Sequence, residues 1–252
     1  MNTTTPRSEL AQIEKYGGFY VVRYEAGLAN GISEYTENEG ISNSYTAYNV
    51  SGVPQSKAGV IPWIIIDWAH SKANAESMYN NNYVGSGLIT GTQWDVILKT
   101  MIAKNCPIKR GENDGTMAVS DMTNSQYWGN YKNTAIPYTG RLAKVNSGLL
   151  SKFGTVTTGT TSIYDNDYEG DILTTGASNI TEKYHIFDIA GNVNEWTEID
   201  LRVSSSDLTR SIRGGCFFYF TSSNFSACQI ETSGNELNKT TSRGFRPVLY
   251  IK

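Results

Sequence analysis

The hydrophobic pattern along the chain predicts short strands near both ends. Residues 19–25 follow a glycine pair and are rich in strand-forming side chains, so they predict a strand that carries Arg23 and Glu25 on one face. Residues 248–251 form a short apolar run and predict a second strand close to the C-terminus.

Two segments carry the signals of a helix start. In the first, Asp67 can cap a helix that continues to Met78. In the second, Thr90 can act as the N-cap, and Gln93 three residues later completes a capping box. Apolar side chains then recur at helical spacing and predict a stripe that faces the core: Trp94, Ile97, Leu98 and Met101.

Residues 124–181 have no clear period and are dominated by Asn, Tyr, Thr, Gly and Ser. This pattern predicts an irregular stretch that wraps around the domain without forming a core of its own. The chain shows no internal repeat and no clear linker, so we expect residues 1–252 to form a single domain.

The composition indicates a loop-rich protein with an uncharged polar surface. Charged residues make up 18% of the chain, below the usual share of about 25%, while Gly and Tyr are abundant at 24 and 16 residues. A formal net charge of -3 provides no electrostatic footprint for nucleic acid or for an anionic membrane. We therefore expect no nucleic-acid partner.

No apolar run approaches the roughly 20 residues that a membrane span needs, and residues 1–15 lack the apolar centre of a signal peptide. We therefore expect neither a membrane span nor a signal peptide. The three cysteines, Cys106, Cys216 and Cys228, form no CxxC pair, which argues against a disulfide framework or a zinc site.

Residues 216–228 combine four consecutive aromatic side chains with Thr, Ser and Asn, and contain no charge. Their lack of a period makes them a poor strand and a poor helix. One interpretation is a surface of rings and small hydroxyls, as in binding loops. The other is a buried strand followed by a polar turn, and the composition leaves both open.

The segment 184–198 places two carboxylates on either side of a glycine turn. Asp188 and Glu195, with backbone oxygens at Gly191 and Val193, can surround a hard cation, because calcium prefers oxygen ligands. The alternative is a turn in which Asp and Asn side chains bond their own backbone. A structural calcium ion is the cofactor that this pattern suggests.

Three motifs in order carry a family resemblance. Residues 188–196, then Arg213-Gly214-Gly215, then Gly244-Phe245-Arg246 resemble the formylglycine-generating-enzyme (sulfatase-modifying factor) type of the C-type lectin fold. Residues 19–25 are similar to that family's first strand, and residues 88–95 to its helix-opening motif. The resemblance covers nearly the whole chain and implies an α+β fold with a small antiparallel sheet, two helices and long loops.

The oxidases of this family use two cysteines, placed four and nine residues after the last glycine of Arg-Gly-Gly. In this sequence those positions hold Tyr219 and Asn224. Neither side chain can form a thiolate or bind copper through sulfur. Because a fold does not carry a function with it, we expect that this chain is not an enzyme.

The chain also resembles the variable proteins that diversity-generating retroelements serve in phages, prophages and some bacteria. That resemblance implies a non-catalytic binding protein in which residues 213–252 are a C-terminal cassette with a hypervariable surface. Its ligand would be an unknown protein or glycan on a host cell, and its place the virion or a cell surface. The expected ligand-facing positions, for each of which core packing is the alternative, are Phe217, Tyr219, Phe220, Asn224, Phe225, Cys228 and Ile230.

Two other functions stay open at this stage. One is a formylglycine-generating-type oxidase, which the missing cysteine pair argues against. The other is an invariant virion part, such as a tail-fibre or capsid decoration domain. Variation of residues 213–244 across a population would separate the binding protein from the virion part.

Overall fold

The computed structural model describes residues 17–29, 35, 51–110, 112–166, 168–198, 210–218, 226–233, 237 and 240–252. In these ranges the helices are α1 (Trp68–Ser77), α2 (Gly91–Ala103) and α3 (Val119–Thr123). The strands are β1 (Tyr20–Val21), β2 (Val84–Leu88), β3 (Pro107–Arg110), β4 (Asn113–Thr116), β5 (Pro137–Gly140), β6 (Leu142–Asn146), β7 (Leu149–Leu150), β8 (Thr157–Thr160), β9 (Gly170–Leu173), β10 (Asn194–Trp196), β11 (Arg210–Arg213), β12 (Ile230–Ser233), β13 (Arg243–Phe245) and β14 (Pro247–Ile251). The chain thus combines few helices with small, mostly antiparallel sheets, which confirms the mixed α and β class.

Both predicted helix starts are confirmed by their caps. The Asp67 side chain accepts a hydrogen bond from the backbone N–H of His70 at 2.8 Å and begins α1. At α2, Thr90 Oγ1 accepts from the N–H of Gln93 at 3.2 Å, and Gln93 Oε1 accepts from the N–H of Thr90 at 3.0 Å. The apolar stripe of α2 is buried as expected, whereas α3 was not predicted.

The first and last strands of the described residues lie in one sheet with the order β1-β14-β2, in which both pairs are antiparallel. The strand predicted over residues 19–25 is shorter than expected, because regular pairing ends at Val21. The prediction that Arg23 and Glu25 share a face is wrong: Arg23 is exposed, whereas Glu25 is buried.

A second sheet has the order β12-β11-β10-β13 and brings the three motifs side by side. Strand β10 pairs antiparallel with β11, with Glu195 opposite Arg213. On its other edge it pairs parallel with β13, with Glu195 opposite Gly244. Glu195 therefore lies at the centre of the motifs that carried the family resemblance.

The expectation of an irregular wrapping segment at residues 124–181 is wrong. This stretch contains β5 to β9, which form one sheet of order β5-β8 and another of order β7-β6-β9. Ala143 and Val145 of β6 and Ile172 of β9 belong to the main apolar core. The strands are only two to five residues long, so their pattern is too brief to identify from periodicity.

The core consists of two large apolar clusters, one around Trp63, Trp196 and Phe245 and the other around Trp94 and Trp128. The glycine turn within residues 188–196 spans both, since Ile189 packs in the second cluster and Val193 in the first. Among the described residues, no helix is long and apolar enough to cross a membrane.

Candidate functional site

The cassette begins with a buried arginine and a turn that requires glycine. Arg213 is buried, and its Nη2 donates to Asp95 Oδ1 at 2.5 Å. Gly214 and Gly215 have φ values of 89° and 71°, in the left-handed region that favours glycine. A Cβ atom on Gly214 would lie 3.2 Å from the Trp94 ring. The backbone geometry at this border therefore restricts which residues can occupy it.

The same border is bonded to the glycine turn of residues 188–196. The carbonyl oxygen of Gly214 accepts from the N–H of Gly191 at 2.9 Å and from the Tyr131 hydroxyl at 3.0 Å. Two residues later in the cassette, the N–H of Phe217 donates to the carbonyl oxygen of Asn192 at 3.0 Å. The entry of the cassette is thus held at several points by one turn.

The C-terminal border of the cassette, at Gly244-Phe245-Arg246, is held by a buried ion pair. Arg246 Nε donates to the two carboxylate oxygens of Glu195 at 2.9 and 3.1 Å, and Nη2 donates to Oε1 at 2.6 Å. The guanidinium also donates to the carbonyl oxygens of Val22 and Phe187. Burial raises the pKa of Glu195 to about 7, and the Arg246 guanidinium opposes that rise.

Glu25 is a second buried carboxyl group in this region. Its Oε1 accepts from Asn192 Nδ2 at 2.5 Å, while its Oε2 has no hydrogen-bond partner in the described part of the chain. Burial, together with the charges of Asp188 and Glu195, raises the pKa of Glu25 well above its usual value. The raised pKa favours the protonated carboxyl group, which avoids an unpaired buried charge.

Asp188 holds the start of the glycine turn. It has a positive φ of 56°, and its carboxylate accepts from the N–H of Gly176 and from the Thr181 hydroxyl, each at 2.7 Å. Burial raises its pKa, and the bonds from Thr181 and Gly176 work against that rise. The side chain is committed to hydrogen bonds within the protein.

The calcium hypothesis gains no support from this geometry. Glu195 faces the Arg246 guanidinium, and Asp188 faces protein donors. The N–H of Gly191 donates to the cassette border and the Val193 side chain packs in the apolar core, and neither contact involves the backbone oxygen that a cation would use. In the described ranges, no group of three or more His, Cys, Asp and Glu side chains is placed to hold a metal ion.

The expectation that Phe217 faces a ligand is corrected by the structure. Its side chain is 0% exposed and belongs to the main apolar cluster. Its ring lies edge-on to that of Phe218, with centroids 5.4 Å apart. A Cβ atom on Gly170 would lie 2.5 Å from the Phe217 ring, which shows how closely β9 packs against it. The ring is part of the core because the backbone turns inward here.

Two other predicted positions lie at an accessible edge. Cys228 and Ile230 are partly exposed, and Ile230 begins β12, at the edge of its sheet. The N–H of Cys228 donates to the carbonyl oxygen of Met122 at 3.1 Å and fixes this stretch on the body of the protein. The remaining predicted positions lie outside the described residues and stay predictions: Tyr219, Phe220, Asn224 and Phe225.

Sequence reasoning missed two aromatic side chains beside the cassette entry. Phe218 is partly exposed, and its ring centroid lies 5.7 Å from that of Tyr168, a residue with a positive φ that is largely exposed. Tyr168 lies in the segment that the sequence predicted as irregular. An isolated tyrosine in a polar stretch carries no sequence signal for a contact with residues about fifty positions away.

Comparisons with known proteins give a structural likeness. No protein-family model matches the chain, and no curated protein matches it. Among solved structures, the chain is similar to Treponema denticola variable protein 1, with 16% sequence identity and a TM-score of 0.34. The similarity covers 75% of this chain and 54% of that protein, so it extends over about half of the latter's length. A TM-score of this size carries no argument about fold or function.

Proposed function

We propose that this chain is a non-catalytic ligand-binding protein with a C-type lectin fold of the formylglycine-generating-enzyme type. In this proposal, residues 213–252 form a cassette with a hypervariable binding surface that a diversity-generating retroelement rewrites. Its ligand is a protein or glycan on a host cell, and the protein sits on a virion or a cell surface.

The observation that carries the proposal is the contrast in burial within the cassette. Its borders are buried and bonded, through Arg213 with Asp95 and through Arg246 with Glu195. By contrast, the side chains of Cys228 and Ile230 are partly exposed. Substitutions at partly exposed positions cost little stability, whereas the buried borders tolerate few changes. A rigid frame around replaceable side chains is what a diversified binding surface needs.

The neighbouring DNA provides the direct test. We expect a template repeat beside the gene that nearly matches the coding cassette and differs from it mainly where the template has adenine. We also expect a reverse transcriptase gene nearby. If neither is present, the proposal of retroelement diversification fails. Sequencing the gene across a population separates it from an invariant virion part, since invariance across residues 213–244 favours the latter.

The oxidase alternative can be judged on the described thiols. Cys216 is fully buried, and burial raises the pKa of its thiol, so it stays protonated at neutral pH. A protonated, inaccessible thiol is a poor nucleophile and a poor copper ligand. We expect no copper-dependent conversion of a cysteine-containing peptide. Measurable turnover would favour the oxidase alternative.

A further inference from the structure

A separate cleft lies on a part of the protein to which none of the described cassette residues contributes. It has a volume of about 730 Å³ and opens between the β3–β4 hairpin and residues 126–136 and 179–183. Small-molecule sites typically have volumes of about 300–1,000 Å³. Its lining includes Ile108, Trp128, Asn133, Thr134, Ile180 and Lys183.

A buried ammonium group lines this cleft. Lys183 is 7% exposed, and its Nζ donates to the carbonyl oxygens of Ile180 at 2.5 Å and Glu182 at 2.9 Å. Nζ also lies 5.6 Å from the centroid of the Trp128 ring. Two carbonyl bonds use two of the three N–H donors of an ammonium group. One donor is therefore left for a group that enters the cleft.

The charge of Lys183 has no carboxylate partner within the part of the chain that the structure describes. The adjacent carboxylate of Glu182 instead accepts from the N–H of His185 at 2.7 Å and lies 3.5 Å from His185 Nδ1. Burial lowers the pKa of Lys183, which reflects the cost of an ammonium group away from water. An anionic group beside it would offset that cost.

Two further polar atoms in the lining are buried without a partner among the described residues: Asn133 Oδ1 and Thr134 Oγ1. Buried polar atoms are nearly always hydrogen-bonded, so such a pair in one cleft needs an explanation. An amide oxygen accepts a hydrogen bond, and a hydroxyl can donate or accept one. These two atoms make this stretch of the lining polar.

Much of the remaining wall is apolar. Its other polar side chains are Lys109, Asp114, Gln126 and Asn179, of which Lys109 and Asp114 pair with each other at 3.7 Å. Ile108 and Trp128 are buried with their side chains at the cleft, while Tyr127 lines it and is about half exposed. Apolar walls favour a ring or a branched hydrocarbon, because burying either one removes apolar surface from water. We propose that this cleft binds a small amphipathic carboxylate, with its anionic group at Lys183 and its ring or branched chain against Ile108 and Trp128.

The test compares acids with their neutral amides on the full chain. The probes are 3-phenylpropionate, indole-3-acetate and 4-methylpentanoate, each paired with its primary amide, with binding measured by calorimetry and by ligand-observed NMR. We expect at least one acid to bind about tenfold or more tightly than its amide, since the amide lacks the charge-assisted bond to Lys183. If no acid binds, or if each amide binds as well as its acid, the proposal is overturned.

Variants locate the site of any acid that binds. Lys183→Met keeps the aliphatic stem and removes the ammonium group, so we expect affinity to fall about tenfold or more. Lys144→Met, at an exposed position on β6 outside the cleft, should leave affinity unchanged. Because Lys183→Met loses two bonds to backbone carbonyls, circular dichroism first checks its fold. Lys183→Gln, whose amide can still donate to a backbone carbonyl, provides an uncharged second variant. Wild-type affinity in a folded Lys183→Met, or in Lys183→Gln if Lys183→Met does not fold, would contradict the assigned site.

Discussion

Arg246 donates three hydrogen bonds to Glu195, and both side chains are completely buried. Glu195 lies on β10, whereas Arg246 stands between β13 and β14, so the pair links the sheet that holds the cassette to the sheet of β1, β14 and β2. The same guanidinium reaches the carbonyl oxygen of Val22, just after β1. The stability of the cassette frame therefore depends on this contact more than on any exposed pair.

Replacing Glu195 with Ala should lower the free energy of unfolding by about 3–5 kcal/mol, because the Arg246 charge is left buried without its partner. Urea denaturation measures the loss. The matched control is Glu76→Ala, which removes a surface partner 3.0 Å from Lys72 and should cost within about 1 kcal/mol. Equal losses in the two variants would contradict the role of the buried pair.

Glu25 should make the protein less stable as the pH rises. Its folded pKa is raised well above the usual 4.5, so as the pH rises past 4.5 the unfolded state gives up a proton that the folded state still retains. Glu195 acts in the same direction between pH 4.5 and about 7. Its contribution to stability is full below pH 4.5 and is lost as the pH rises through that window.

The variant Glu25→Gln cannot ionise but can still accept the hydrogen bond from Asn192. We therefore expect its unfolding free energy to fall less than that of the wild type between pH 5 and pH 8. Denaturation curves across that range measure the difference. A Glu25→Gln curve parallel to that of the wild type would show that the Glu25 carboxyl group does not cause this pH dependence.

Gly214→Ala tests the backbone of the cassette entry. The substitution forces alanine to a φ of 89° and brings its Cβ to 3.2 Å from the Trp94 ring, so we expect a loss of about 1–3 kcal/mol. Gly154→Ala is the control, since a Cβ there meets its nearest atom at an ordinary 3.6 Å. Thermal melting compares the two variants. A wild-type melting temperature in Gly214→Ala would show that this turn does not require glycine.

Two positions in the cassette should respond very differently to truncation. Phe217→Ala removes a fully buried ring and should cost about 3–5 kcal/mol, whereas Ile230→Ala at the partly exposed edge should cost about 1 kcal/mol. Chemical denaturation measures both. If Ile230→Ala is as damaging as Phe217→Ala, then the edge is core and cannot serve as a variable surface.

The calcium hypothesis is tested by thermal melts in excess calcium and in chelator. A ligand that binds the folded state raises the melting temperature with its concentration. Because Asp188 and Glu195 are both committed to protein partners, we expect the two curves to coincide. A rise in melting temperature with calcium that Asp188→Asn abolishes would support a calcium ion bound at this turn.

Local patterns predicted part of the fold correctly. The caps of α1 and α2 were predictable because a capping residue and its bonded N–H lie within three positions of each other, as in Asp67 with His70 and Thr90 with Gln93. The apolar end of the chain predicted β14 for the same reason, since a short run of β-forming residues is visible without its partners.

The candidate site was only partly predictable. The sequence pointed to Cys228 and Ile230, which lie at an edge, but also to Phe217, which the core covers. An aromatic run has the same composition whether its rings point inward or outward, so burial depends on how the backbone turns between β11 and β12. The ring pair of Phe218 and Tyr168 depends in the same way on chain segments that meet in space.

By itself, the sequence determined the helix caps, the terminal strand and the order of the three motifs, because these depend on neighbours a few residues apart. The tertiary structure alone decided the strands within residues 124–181, the burial of Glu25 and the cleft around Lys183. Asn192 and Glu25 are 167 positions apart when they share a hydrogen bond. No local pattern specifies such a contact, since it forms only after the whole chain has packed.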